Sequence, residues 1–487
     1  MERAVGIVLS ITIAILNSFH VMLGWLTNKP GEVFTGIAHS FADYFLYTAQ
    51  MAQGSAGRWI WSEHMFTNEP TAPTWYYWFN VSLGHIGGWF RLSPFSTYNI
   101  SLFILVMVLV LIWYYVVQTL YPKSSFLRFT TLLFILTVTN WYWNGQILGQ
   151  FWFSPAPVFN RIGSVPYHVF QTIIFIALAI LSSRPSSLIH NSLFIILSFL
   201  AGIANPIQML LFVLDSFSIP AAVFGGLGAW MTRQEFLHQA VFASAARWEL
   251  SQPVHQSIVL LLLSIGPALL FIPLGIGRAV QKIHPLGRLM LTWAVVSFAL
   301  FLSPVPGIMG ISPVRFLHQV PFAALAILAA EGIHRFKPRY RVLFVAVYLA
   351  LTIPSLGAQF RWRSTPSGNP QLLMDTIYNH VPADVATALG FLKNQPDRLV
   401  VLTDPGIPIE VLVPAFTGKP SFSGHPIHTL YPDVKEKLRQ DFFAGRMNPT
   451  QAAKFLSDHR IGYIINSRTL SGYQKRFSNA TLSIYVP

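Results

Sequence analysis

The chain has 487 residues, of which 53% are hydrophobic, 14% are aromatic and 10% are charged. A soluble globular protein carries about 25% charged residues, so this deficit predicts a polytopic membrane protein. The net charge of +14 is dispersed without a basic stripe, which argues against nucleic-acid binding. The sequence has no cysteine, which excludes disulfides, a thiol nucleophile and a thiolate metal site.

The N-terminal segment MERAVGIVLSITIAILNSFHVMLGW is too long and too weakly charged for a signal peptide, and predicts an uncleaved spanning helix. A shorter aromatic run at 74–90 is compatible with a span or with a helix lying in the interface. Together the hydrophobic runs predict about 10–12 transmembrane helices. The runs of spanning length are 5–25, 98–120, 127–143, 166–183, 188–204, 206–231, 255–277, 288–303, 315–333 and 341–358.

Basic residues cluster in three loops, at 123–128, 278–288 and 335–341, which should face the cytoplasm. The last span then leaves the chain outside, and residues 26–97 form one long outer loop if the aromatic run is interfacial. The number of runs between the first two basic loops is odd, whereas this orientation requires an even number. We place the discrepancy in 186–231, because Pro206, Asp215 and Pro220 interrupt that apolar region and broken passes can lie in 206–245.

The composition changes near residue 360, since the first 360 residues hold 9 acids and the last 127 hold the other 9. We therefore predict a transmembrane domain at 1–358 and an extracytoplasmic domain at 359–487. Proline-opened patterns in the tail predict helices, and short apolar runs predict strands, which together indicate a small α/β domain with a mainly parallel sheet. The predicted helices are 382–395, 432–445 and 449–460, and the strands are 398–404, 461–466 and 480–487.

Asp43 is the first candidate catalytic residue. It lies in FADYFLYTAQMAQ, inside a stretch, 26–75, that holds 4 acids and 2 basic residues in an otherwise basic protein. A helix here can lie at the membrane surface, and a carboxylate held there can take a proton from a hydroxyl as a general base. The alternative is a capping or solvated acid, since acids favour the first turn of a helix.

Glu69, in FTNEPTAP, precedes proline and is predicted in a turn or extended segment of the same loop. It could orient a substrate or assist a metal, or be an ordinary surface carboxylate. Asp43 and Glu69 would supply two protein ligands, fewer than hard divalent cations prefer. A divalent cation is therefore left open rather than implied.

Three arginines, of which Arg315 and Arg161 lie at predicted outer edges of spans, are candidates for binding a lipid phosphate through paired hydrogen bonds. They are Arg315 in ISPVRFLHQVP, Arg161 in FSPAPVFNRIGSVP and Arg247 in ARWELSQP. The alternative is that they anchor the chain at the interface. In the tail, His425 of SFSGHPIH lies on a tight loop, where it could contact an acceptor or simply form a turn.

These features together resemble the GT-C superfamily of polytopic glycosyltransferases. The likeness rests on FADYFLYTAQMAQGSAGRWIW followed by FTNEP, on ISPVRFLHQVPFAALAILAAEGI, and on PAFTGKPSFSGHPIHTLYPDVKEKLRQDFFAG. The resemblance implies Asp43 as catalytic base and Glu69 as a second acid. FADYF lacks the paired acids of some members, which leaves metal dependence open, and no WWD-type motif supports transfer of a whole oligosaccharide to asparagine.

The sequence thus predicts a multi-pass bacterial plasma-membrane enzyme. It would transfer a sugar, with inversion, from a polyprenyl-phosphate donor to a hydroxyl of a glycan, lipid or protein on the extracytoplasmic side. A transporter or lipid flippase is the alternative, although the chain lacks the internal repeats typical of that class. A third possibility is a scaffold that presents its outer domain.

Overall fold

The computed structural model describes residues 2–37, 40–150, 155–183, 187–252, 254–282, 284–364 and 376–487. The chain divides into two compact units, each assembled from segments distant in sequence. The first unit comprises Met1–Ser18, Leu102–Gln234 and Glu249–Arg363, and the second comprises Phe19–Ser101, Glu235–Trp248 and Ser364–Pro487. The predicted first outer loop and tail domain thus share a unit. The predicted boundary after residue 358 falls inside one helix, Pro338–Ser364.

The described residues are mainly helical. In chain order, helices α1 to α23 are Glu2–Asn17, Phe19–Thr27, Phe41–Ser55, Trp78–Trp89, Pro94–Leu120, Ser125–Thr137, Val158–Gly163, Pro166–Ser182, Leu188–Ala204, Pro206–Ser216, Gly226–His238, Ala240–Ser251, Ile258–Ile265, Ile272–Lys282, Pro285–Leu302, Val305–Met309, Gln319–His334, Pro338–Ser364, Thr376–Asn379, Ala383–Lys393, Leu412–Thr417, Pro432–Phe443 and Pro449–Asp458. Strands β1 to β8 are Val33–Phe34, Tyr142–Trp143, Gln146–Ile147, His380–Val381, Val400–Thr403, Ile461–Asn466, Gln474–Ser478 and Ser483–Val486.

Three of these helices, α5, α15 and α18, are long and apolar enough to cross a membrane. Two helix pairs interrupted by a bend, α1 with α2 and α13 with α14, raise the number to five among the residues described. Five further apolar helices of 10–17 residues are α6, α8, α9, α10 and α17. An apolar helical protein with a small C-terminal sheet domain is therefore confirmed, whereas the count of 10–12 spans stays a prediction.

The region predicted to be broken does contain helix breaks. Helix α10 begins at Pro206 and ends at Ser216, and Phe217 adopts the left-handed conformation with φ of 50°. A π-helical turn, Ala221–Gly225, then leads into α11. The proline lacks the N–H that a continuous helix would need, which is the physical reason for the first break.

Within the first unit, α14 and α17 pack backbone to backbone. A Cβ atom on Gly275 would lie 1.9 Å from the carbonyl oxygen of Leu328, so only glycine permits this approach. The same helices are joined by an ion pair, in which Arg278 Nε lies 2.8 Å from Glu331 Oε2. Small residues and a paired charge thus replace the hydrophobic driving force that is absent between helices in lipid.

The tail domain is built on a four-stranded sheet in the order β5-β6-β8-β7. Only β5 and β6 are parallel, whereas β8 pairs antiparallel with β6 and with β7, so the predicted mainly parallel sheet is wrong. The reason is the short connection between β7 and β8, which permits a hairpin but not a crossover. Strand β7, with the sequence QKRFS, escaped prediction because it is a polar and largely exposed edge strand. The predicted tail helices appear as α20, α22 and α23.

One contact joins the first loop to the tail segment, and a second packs the loop against itself. Strand β1 pairs antiparallel with β4, so that Val33 lies opposite Val381. Helices α3 and α4 are so close that a Cβ on Gly54 would lie 2.0 Å from the carbonyl oxygen of Val81. Helix α4 has 12 residues, about 18 Å at 1.5 Å per residue, which is too short for a hydrocarbon core of about 30 Å. The length of α4 therefore favours the interfacial interpretation of 74–90.

Candidate functional site

Asp43 lies in the first turn of α3, the helix that the sequence predicts here. The residues on either side of it, Ala42 and Tyr44, are buried, whereas the Asp43 side chain is 43% exposed. The Tyr44 hydroxyl donates to the carbonyl of Thr35, and Asn99 Nδ2 donates to that same carbonyl at 3.1 Å. These contacts anchor the start of α3 and leave the carboxylate of Asp43 at the surface of the unit.

His425 faces this carboxylate. Its Nε2 atom lies 3.8 Å from Asp43 Oδ1, and the His425 side chain is completely buried. Its Nδ1 atom accepts the backbone N–H groups of Ile427 and His428, each at 3.1 Å. The histidine is therefore held by its own loop and presents one ring nitrogen to the predicted base.

The loop that carries His425 requires a glycine before it. Gly424 has φ of +135°, and a Cβ there would lie 3.0 Å from the backbone carbonyl carbon of Glu410. On the other side, Thr429 Oγ1 accepts the His425 backbone N–H at 3.1 Å, and the Thr429 N–H donates to the His425 carbonyl at 3.0 Å. The Gly-His pair of the sequence thus has a structural explanation.

Glu69, the second predicted acid, is paired with a cation. Lys435 Nζ lies 2.7 Å from Glu69 Oε2 and donates to Thr67 Oγ1 at 3.0 Å. The Lys435 side chain is almost completely buried, with its ammonium group 5.1 Å from the centre of the Phe422 ring. Burial lowers the pKa of Lys435, and the hydrogen bond to Glu69 opposes this shift. Glu69 therefore fastens the first loop to α22.

Two further histidines extend the site behind His425. The rings of His425 and His428 meet edge to face at 4.7 Å, and His64 Nε2 lies 2.6 Å from Gln239 Oε1. Burial lowers the pKa of His64, and burial together with the neighbouring histidines lowers the pKa of His428 further. The interior of the site thus contains uncharged imidazoles near neutral pH.

Sequence reasoning overlooked Glu235 and gave no role to Lys435. Glu235 accepts hydrogen bonds from Thr74 Oγ1 at 2.7 Å and from the backbone N–H of Trp75 at 3.0 Å, which fixes the loop before α4. The sequence did hold a signal for Lys435, because it is a lysine in the helix that directly follows the Gly-His pair. Glu235 had no signal in the sequence, because its partners are backbone groups of a distant segment.

In the first unit, Arg315 makes a two-pronged ion pair. Its Nε and Nη2 atoms lie 2.7 and 2.5 Å from the two carboxylate oxygens of Glu249. Its backbone carbonyl accepts Gln208 Nε2 at 2.8 Å. The guanidinium thus has the geometry suited to a phosphate, but a carboxylate of the same unit occupies that face. The phosphate role of Arg315 stays a prediction.

Arg161 and Arg247 differ sharply in environment. The buried guanidinium of Arg161 donates to backbone carbonyls, at 3.0 Å to Ala156, 3.2 Å to Pro155 and 3.3 Å to Ile135, and also to Val138. These bonds satisfy helix and loop ends, which is a structural use of arginine. Arg247 is exposed on α12. The phosphate roles predicted for both stay predictions.

The parts of the chain that the structure describes contain no group of three or more histidine, aspartate or glutamate side chains arranged to hold a metal. Asp43 faces His425, and Glu69 faces Lys435. The two acids therefore have separate basic partners within the second unit, and both partners belong to the tail segment GHPIHTLYPDVK.

No protein-family model matches the sequence, and no curated protein sequence matches it. Solved structures do match. An oligosaccharyltransferase from Archaeoglobus fulgidus has a TM-score of 0.54 and 11% identity, covering 95% of this chain and 69% of its own. ArnT from Cupriavidus metallidurans, bound to undecaprenyl phosphate, has a TM-score of 0.52 and 12% identity, covering 98% and 97%. The mycobacterial arabinofuranosyltransferase AftD has a TM-score of 0.52 and 12% identity, covering 99% and 41%. The chain therefore has the GT-C fold predicted by resemblance.

Proposed function

We propose that this protein is a membrane glycosyltransferase in which Asp43 is the catalytic base. The observation that carries the proposal is the position of Asp43, exposed in the first turn of α3 and faced by a buried histidine. The GT-C fold supports the proposal, since the neighbours named above are an oligosaccharyltransferase, ArnT and an arabinofuranosyltransferase. Fold alone does not fix chemistry, so the assignment depends on the carboxylate.

The donor that we propose is a sugar linked to a polyprenyl phosphate. ArnT was solved with undecaprenyl phosphate, and the archaeal oligosaccharyltransferase AglB with dolichol phosphate, at TM-scores of 0.52 for each. A donor with a long apolar chain suits a protein whose helices are apolar enough to lie in a bilayer. The acceptor is a hydroxyl of a glycan, lipid or protein on the extracytoplasmic side.

The reaction is a single displacement. Asp43 takes the proton of the acceptor hydroxyl as that oxygen forms a bond to the anomeric carbon. The bond between this carbon and the phosphate oxygen breaks, and its electron pair leaves with the lipid phosphate. Attack and departure occur on opposite faces of the sugar, so the anomeric configuration inverts.

Groups that stabilise the departing phosphate would lower the barrier, as an oxyanion hole does. Arg315 is the candidate that we retain first, because its guanidinium already has the two-pronged geometry of an oxyanion contact with Glu249. Arg161 and Arg247 are retained as weaker candidates. A requirement for a divalent cation is a separate proposal, to be tested by removing metal with a chelator.

The test is sugar transfer by purified protein in detergent or nanodiscs, with a panel of polyprenyl-phosphate sugars. Asp43→Asn should lower kcat by about 10²–10⁴-fold, the usual contribution of a general base. Asp433→Asn is the matched control, since Asp433 is also in the first turn of a helix of the second unit and is exposed. Near-normal turnover by the Asp43 variant would contradict the assignment of Asp43 as the catalytic base. Retention of the anomeric configuration in the product would contradict the single-displacement mechanism.

A further inference from the structure

We infer that His425 is a positioning residue for Asp43, acting as a neutral imidazole that directs its Nε2–H toward the carboxylate. This inference rests on the proposed function, because it gives His425 a role only through the base. The observations that carry it are the hydrogen bonds of the imidazole, its burial and the distance from Asp43.

The hydrogen bonds determine which ring nitrogen holds the proton. Nδ1 of His425 receives the backbone N–H groups of Ile427 and His428. Because these groups can only donate, Nδ1 must be the acceptor, and the proton of the neutral ring lies on Nε2. A proton on Nδ1 would point at both N–H groups and break both hydrogen bonds.

The distance is consistent with a contact that tightens during reaction. Nε2 of His425 is buried without a hydrogen-bond partner among the described residues, and Asp43 Oδ1 lies 3.8 Å from it. Catalytic hydrogen bonds are often long before substrate binds. A buried donor without a partner is unfavourable, so closing this gap is favourable. The closed contact would fix the rotamer of Asp43 and favour its ionised form.

The charged and titratable groups around His425 come from several elements. Asp43 faces it from α3, and His428 lies beside it in the same loop, with the ring of His64 at 6.4 Å from that of His428. Glu410 contacts Gly424, and Arg439 Nη1 of α22 lies 3.4 Å from Glu410 Oε1. Since Glu410 is paired with this arginine and His428 is neutral, Asp43 is the acceptor that Nε2–H of His425 can serve.

The test uses two substitutions that separate the two ring nitrogens. In His425→Asn, the side-chain oxygen can accept the N–H of Ile427 in an Asx turn, which preserves the loop and removes the donor at Nε2. In His425→Gln, the side-chain amide can still reach the position of Nε2. We expect kcat of the asparagine variant to fall about 10-fold with KM nearly unchanged, and the acidic limb of kcat/KM to move up by about one pH unit. The glutamine variant should keep most of the wild-type kcat and an acidic limb close to that of the wild type.

The inference is overturned if His425→Asn changes neither kcat nor the acidic limb of kcat/KM, while Asp43→Asn abolishes transfer. Full activity of Asp43→Asn would instead overturn the proposed function. In the Asp43→Asn background, His425→Asn should cause no further loss, because its effect passes through that carboxylate. If the asparagine variant does not fold, ¹⁵N-histidine NMR of the wild-type protein decides. A neutral ring protonated on Nε2 at pH 7.5 is expected, and protonation on Nδ1 refutes the inference.

Discussion

Lys435 Nζ lies 2.7 Å from Glu69 Oε2, so the second acid predicted for the site is neutralised by a cation of the tail. The first acid, Asp43, faces His425 instead. The two carboxylates of the first loop thus differ in their partners, although both partners come from one segment of the tail. This difference gives Glu69 a fastening role, and in the reaction that we propose the proton-accepting role belongs to Asp43.

The pair of Glu69 and Lys435 should stabilise the second unit. Glu69→Gln leaves the buried ammonium without a negative partner and should cost about 1–3 kcal/mol at pH 7. The control is Asp441→Asn, which removes an exposed ion pair with Arg446 and should cost at most about 0.5 kcal/mol. Thermal inactivation midpoints in one detergent measure both, and equal losses would contradict the fastening role.

The cost of Glu69→Gln should also depend on pH. Burial holds the pKa of Lys435 below its ordinary value near 10.4, and Glu69 opposes that shift. Without Glu69 the pKa of folded Lys435 falls further, so the variant is penalised most where lysine is charged in both states. As pH rises through the folded pKa, the lysine loses its proton and the difference between variant and wild type shrinks. A difference that grows between pH 7 and pH 9.5 would contradict this account.

Gly424→Ala should disable the His425 loop. Its φ of +135° is unfavourable for alanine, and the added Cβ would press on the backbone of Glu410. We expect a loss of about 1–3 kcal/mol in stability and a lower kcat. Gly445→Ala is the control, since its φ of +68° is left-handed but nothing lies within 4 Å of the added atom. It should cost about 1–2 kcal/mol and leave kcat unchanged. Equal kcat in the two variants would refute the role of Gly424.

Glu249→Gln tests whether Arg315 binds the donor phosphate. The carboxylate now holds the guanidinium at 2.7 and 2.5 Å, so weakening that contact should release Arg315 toward a phosphate. We expect KM for the donor to fall several-fold, and Arg315→Lys to raise it, because lysine cannot make the paired contact. A lower thermal stability of Glu249→Gln with unchanged KM would show that Arg315 is purely structural.

Local sequence patterns predicted helices and strands correctly where neighbouring residues determine them. Pro432 and Pro449 open helices α22 and α23, and Asn448 with Gln451 forms a capping box, because these side chains act on backbone groups a few residues away. The run IGYIIN became the strand β6, all of whose residues are buried. The mainly parallel sheet was wrong because the short connection between β7 and β8 permits only a hairpin, and polar β7 carried no apolar alternation.

The sequence by itself determined that this is an apolar helical protein with a small tail domain, and it identified Asp43 as an unusual acid. Hydropathy and local side-chain chemistry suffice for that, because they act over one helix or one strand. The tertiary structure alone decided that Asp43 faces His425, that Glu69 is held by Lys435 and that Arg315 is paired with Glu249. These partners are far apart along the chain. Local sequence patterns carry no information about which distant side chains come within hydrogen-bonding distance when the chain folds.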